Sequence, residues 1–158
     1  MGYKVFISHS TRDQGLVVAL AKLFTTYGLE VFVAEWYLTP GGRLDEKVFK
    51  QIESADSVLV LLSKDGTRSN WVQQEIGYAL KCEKPVIPLV ETGVQQQDLG
   101  ALQGREYIQY DPNAPQAALL AASTFISSLK LTKGKQQQAL VVLGLILLFL
   151  LLLSGAKK

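Results

Sequence analysis

At 158 residues, 48% of them hydrophobic and 19% charged, the chain is sized for one compact domain with a short appendage, and it is excluded from the disordered and collagen-like classes. The net charge of +2 is uneven, −2 over residues 1–132 and +4 beyond, so the body has no Lys/Arg-dense face and no nucleic-acid partner is expected. Cys82 is the only cysteine, which excludes an intrachain disulfide and fits a reducing compartment.

In chain order, residues 3–8 are short, apolar and rich in strand formers. Asp13 is placed to cap an amphipathic helix over 14–27, with Leu16, Ala19, Leu20, Leu23 and Phe24 on one face. Gly28 stops it, and a second strand follows at 30–34. The Pro40-Gly41-Gly42 loop leads into a helix over 44–54. The near-continuous apolar run 57–62 reads as a central parallel strand covered on both faces. Asn70, with Gln73 three residues on, has capping-box spacing for a helix over 70–81. Strands at 85–90 and 106–110, a short helical or turn segment near 95–102 and a helix over 115–129 complete the body. Strands alternating with helices require right-handed crossovers, hence an α/β fold with a five-stranded parallel sheet. In such sheets ligands bind beyond the carboxyl ends of the strands, which directs attention to residues 8–10, 35–42 and 63–69.

Residues 139–153 carry no polar side chain, nine of them being Leu, and the uncharged run extends to Ala156 before Lys157 and Lys158. At about 1.5 Å per residue this stretch is matched to a hydrocarbon core of roughly 30 Å. It is apolar on every face, unlike an ordinary surface helix. The expected organisation is a domain over 1–132, a flexible connector over 133–138 and one C-terminal transmembrane helix over 139–156. With no signal peptide ahead of the first strand, and with Lys130, Lys133 and Lys135 beside the anchor, the domain is expected in the cytoplasm, held to the inner membrane by a single-pass anchor. The alternative is a hydrophobic helix buried by self-association.

Trp71 and Glu75 are one turn apart on the expected helix, so indole and carboxylate share a face. A carboxylate beside an aromatic plate suits a cationic, sugar-based transition state. On spacing alone, a Glu near a helix start is usually a solvated residue that complements the helix dipole. His9 is the only histidine and has no Cys/His cluster around it, so no metal site is expected. Neither GxxxxGK[ST] nor GxGxxG occurs, and Gly41-Gly42 reads as a turn.

Together, five features in order resemble a TIR (Toll/interleukin-1 receptor) domain of the prokaryotic kind. They are Val5-Phe6-Ile7-Ser8-His9-Ser10 with Asp13, Gly28-Leu29-Glu30-Val31-Phe32, Leu38-Thr39-Pro40-Gly41, Val58-Leu59-Val60-Leu61-Leu62-Ser63, and Ser69-Asn70-Trp71-Val72-Gln73-Gln74-Glu75-Ile76 leading to Pro85-Val86-Ile87-Pro88-Leu89. The resemblance spans residues 3–130 and implies a flavodoxin-like sheet. It further implies hydrolysis or cyclisation of NAD⁺ at the nicotinamide–ribose bond, with NAD⁺ as substrate and no cofactor. Glu75 matches the family's essential glutamate and Trp71 the tryptophan of WxxxE. By the same matching, Ser8, His9 and Ser10 fall near ribose or phosphates, and Trp36 or Tyr37 near a base. Glu35 departs from the pattern, where many members carry Asp. The resemblance also implies homo-oligomers formed through TIR–TIR contacts, a role in antiviral defence signalling and a downstream effector partner. Its alternative is a non-catalytic scaffold.

Overall fold

The computed structural model describes residues 2–33 and 40–155, with side chains through residue 148. The chain divides into two units, residues 1–124 and 125–158, and the sheet lies wholly within the first. Five strands, β1 (Tyr3–Ser8), β2 (Leu29–Phe32), β3 (Ser57–Leu62), β4 (Val86–Glu91) and β5 (Ile108–Tyr110), pair in parallel in the order β2-β1-β3-β4-β5. Helices α1 (Gln14–Thr26), α2 (Leu44–Ser54) and α3 (Asn70–Lys81) connect the first four, a 3-10 segment (Gln96–Leu102) leads to β5, and α4 (Gln116–Gly155) follows.

The chain leaves β1 toward one edge of the sheet and returns past it to β3. The connections therefore diverge between β1 and β3, which opens a crevice at their carboxyl ends, where Ser8 pairs in register with Val60. One layer of the core joins Phe6, Val58, Val60 and Leu62 from the sheet to Val48 and Ile52 of α2 and Val72, Ile76 and Ala79 of α3. The apolar run expected at 57–62 is buried at every position.

Local details move the expected boundaries. The buried stripe of α1 is Val17, Leu20, Ala21 and Phe24, the expected period turned by one residue. Asp13 makes no cap hydrogen bond to α1, because its carboxylate is engaged elsewhere. On α3 the cap is Ser69, whose hydroxyl accepts from the Val72 N–H at 3.3 Å, so Asn70 is already helical. Gly28, at φ +69°, ends α1 as expected.

The C-terminal reading is corrected. Residues 133–138, expected as a flexible connector, lie within α4, as do 130–132 beyond the helix expected over 115–129. Lys and Gln are good helix formers, and the single Gly134 costs about 1 kcal/mol without breaking the helix. Among the described residues no helix is long and apolar enough to cross a membrane. This overturns the transmembrane helix over 139–156, the single-pass inner-membrane location and the membrane as a partner.

Candidate active site

The site is built where β1 ends beneath α3. Side chains alternate along a strand, so Ser8 points to the same face as Phe6, which enters the α2–α3 core layer. On α3 the buried residues are Val72, Glu75, Ile76 and Ala79, which puts a carboxylate inside an apolar stripe. Glu75 is 3% exposed and Ser8 1%. The Ser8 hydroxyl donates a hydrogen bond to Glu75 Oε2. A carboxylate removed from water to this degree is costly and persists only when hydrogen-bonded.

The residues after Ser8 are ordered by their own polar contacts. His9 is 6% exposed, and its Nδ1 lies 2.7 Å from the Ser10 carbonyl. A carbonyl only accepts, so Nδ1 carries the proton. The Ser10 carbonyl also accepts from the Asp13 N–H at 2.9 Å, and the Ser10 hydroxyl accepts from the Arg12 N–H at 3.4 Å. Trp71 is half-buried and packs against the core layer one turn before Glu75. Trp36 and Tyr37 lie outside the described residues.

A second serine–carboxylate contact closes the other side of the crevice. Ser63, the first residue past β3, donates to Asp13 Oδ2 at 2.6 Å and accepts from the Gly66 N–H at 2.9 Å. Gly66 permits this close return of the chain, since a Cβ there would stand 2.9 Å from the Leu61 carbonyl oxygen. Partial burial pushes the Asp13 carboxyl above its ordinary range, against the lowering effects of the Ser63 hydroxyl and of His9. Tyr110, at the end of β5, is likewise raised, by burial first and then by the negative charges of Asp13 and Glu91. Sequence reasoning took Asp13 as a helix cap and gave Ser63 no role. Position at the carboxyl edge of the sheet singles out residues 63–69, but not the pairing of Ser63 with Asp13.

Together the geometry offers a buried, hydrogen-bonded carboxylate at the divergence point of a parallel sheet, approached by the β1–α1 loop. Residues 5–121 match the TIR domain family. The chain belongs to the TIR domain family. Over 75 residues it is 31% identical to the 2' cyclic ADP-D-ribose synthase BtTIR of Bacteroides thetaiotaomicron, a match that covers 47% of this chain and 26% of that protein. The TIR chain thus spans about a quarter of the curated relative's length. Two solved structures share the fold. The TIR domain of the Toll-related receptor TRR-2 from Hydra magnipapillata is 19% identical at a TM-score of 0.66, over 80% of this chain and 98% of its own. The CMP N-glycosidase BcmB of Clostridium botulinum is 19% identical at a TM-score of 0.58, over 77% and 98%.

Proposed function

We propose that this TIR domain cleaves the nicotinamide–ribose bond of NAD⁺, with Glu75 as the catalytic carboxylate. The observation that carries the reading is the burial of Glu75 in the apolar stripe of α3 with its Oε2 held by Ser8. The likeness to a cyclic ADP-ribose synthase gives it a substrate. The C1'–N bond breaks heterolytically, and its electron pair passes to the pyridinium nitrogen, so nicotinamide leaves neutral without a general acid. The ribose becomes an oxocarbenium ion that the Glu75 carboxylate stabilises while accepting from a ribose hydroxyl. Attack by water releases a proton and gives ADP-ribose; attack by a hydroxyl of the same dinucleotide releases a proton and gives a cyclic product. The Ser8 hydroxyl fixes the carboxylate rotamer. His9 and Ser10 line the ribose and phosphate side, Trp71 stands beside the carboxylate, and Trp36 and Tyr37 meet a base.

The proposal includes self-assembly through TIR–TIR contacts, in which the loop after β2 of one copy completes the pocket of the next, and a role in antiviral defence signalling through a downstream effector. Incubation of the assembled chain with NAD⁺ is expected to release nicotinamide, and Glu75→Gln to lower the rate about 10²- to 10³-fold, the usual loss for one charge-stabilising group. The product, resolved by mass spectrometry, separates hydrolase from cyclase. The competing reading is a scaffold in which the Ser8–Glu75 pair only ties α3 to β1, since a structural pair shows the same burial. It predicts no nicotinamide from the assembled protein and a large loss of stability in Glu75→Gln.

A further inference from the structure

The helix that carries Glu75 has a second functional-looking face. Gln73 precedes Glu75 by two residues, and two residues turn a helix by about 200°, so the two side chains leave α3 on opposite sides. Gln73 faces a cleft of about 550 Å³ between the β3–α3 loop and the 3-10 segment before β5. This volume is in the range of small-molecule sites, roughly 300–1,000 Å³. The cleft lies past the carboxyl ends of β3 and β4, the edge of the sheet where ligands collect.

Its walls are polar, and their backbone is held by hydrogen bonds. One wall presents Lys64 and Arg68. The Arg68 side chain has no hydrogen-bond or ion-pair partner among the described residues, and Lys64 Nζ reaches Glu91 only at 3.9 Å while its side chain is 65% exposed. Their backbone is fixed nonetheless. The Thr67 N–H bonds the Ser63 carbonyl at 3.0 Å, the Arg68 N–H the Asp65 carbonyl at 3.2 Å, and the Lys64 N–H the Glu91 carboxylate at 2.9 Å. The other wall presents Gln97 and Asp98 from a segment closed by Asp98 N–H to the Gln95 carbonyl at 2.9 Å and Gly104 N–H to Gln96 Oε1 at 3.3 Å. Gly100, at φ +56°, lets that wall approach α3, since a Cβ there would fall 2.3 Å from Gln73 Oε1.

We propose that this cleft is a ligand site separate from the Glu75 crevice and that it takes a phosphorylated ribonucleoside. Two loosely engaged cations on a rigid loop suit a phosphate. Asp98, the one acid in the lining, suits a ribose diol, and the amides of Gln73 and Gln97 each offer donors and an acceptor to the edge of a base. Because the backbone of both walls is already hydrogen-bonded, the ordering that opposes binding is confined to side chains such as Lys64 and Arg68. The site does not depend on NAD⁺ cleavage at Glu75.

The test is calorimetric titration of the full chain with ADP, adenosine and inorganic phosphate, with amide shifts of Gly93 and Gly100 as a second readout. ADP is expected to bind with a dissociation constant of about 1 mM or tighter. The paired variant Lys64→Ala/Arg68→Ala should weaken it at least about tenfold. Asp98→Asn should weaken ADP but not phosphate, and Glu75→Gln should leave ADP binding unchanged. The proposal is overturned by the absence of ADP binding at millimolar concentration, by equal affinity in the paired variant, or by loss of binding in Glu75→Gln. Phosphate or adenosine binding as tightly as ADP overturns the ribonucleotide assignment. The Lys64, Arg68 and Asp98 side chains are exposed, and an unchanged thermal midpoint verifies that each variant folds, the buried Glu75→Gln included, before its binding is compared.

Discussion

Two serine–carboxylate pairs stand at the carboxyl ends of neighbouring strands, and their surroundings differ. Ser8, the last residue of β1, donates to Glu75 among the buried apolar side chains of α3. Ser63, just past β3, donates to Asp13 on a half-buried loop and at the same time accepts from Gly66. A carboxylate in an apolar stripe contributes little to stability that a hydrophobic residue of similar size would not, which is the contrast the proposed function draws on. A half-buried carboxylate that ties the loop after β1 to the loop after β3 is explained by the fold alone. On the proposed function, the same donor type on the same acceptor type serves a reacting group in one place and a clasp in the other.

The largest expected contrast is in rate. Glu75→Gln should lower nicotinamide release about 10²- to 10³-fold, whereas Asp13→Asn should leave it unchanged. Comparable losses in both variants would erase the distinction between the pairs. Next comes Ser8→Ala, which leaves a buried carboxylate oxygen without its hydroxyl donor. It is expected to cost about 1–3 kcal/mol in urea unfolding and to lower kcat about tenfold with KM nearly unchanged, because the carboxylate loses its fixed orientation. An increase confined to KM would instead place the Ser8 hydroxyl on the substrate. Ser63→Ala removes one donor and one acceptor at the clasp. It should cost about 1 kcal/mol of stability with turnover intact, as read from the same unfolding and rate measurements.

The legibility of these elements in the sequence follows the range of the interactions that make them. The run over 57–62 announces a central strand because burial on both faces leaves no alternation to disguise it. Glu75 and its i−4 neighbour Trp71 are placed by helix geometry alone. The Ser63–Asp13 clasp joins residues 50 apart, and no local pattern carries it. The cap of α3 slips from Asn70 to Ser69 because both side chains are competent caps and only the chain's path chooses between them. The C-terminal stretch misleads for a different reason. Gly134 and Gln136 to Gln138 have the composition of a linker, yet they continue α4, because Lys and Gln are good helix formers and one glycine does not break a helix.

The smallest effect is the most diagnostic for the clasp, because its sign opposes intuition. Burial raises the Asp13 carboxyl above its ordinary 3.8 in the folded chain. The folded state therefore binds that proton more tightly than the unfolded state, and protonation favours folding. At neutral pH the charged carboxylate carries a penalty that is relieved as pH falls through the raised folded value toward 3.8. Asp13→Asn keeps an oxygen that accepts from Ser63 and removes the charge. It should stabilise the domain at pH 7 by about a few tenths of a kcal/mol, solvent screening at a half-buried site limiting the gain. The advantage should shrink as the solution is acidified. A set of urea midpoints for both proteins between neutral pH and about pH 4 reads this directly. A variant that is less stable at pH 7, with a deficit that narrows in acid, would show that the hydrogen bond to the ionised carboxylate outweighs its burial.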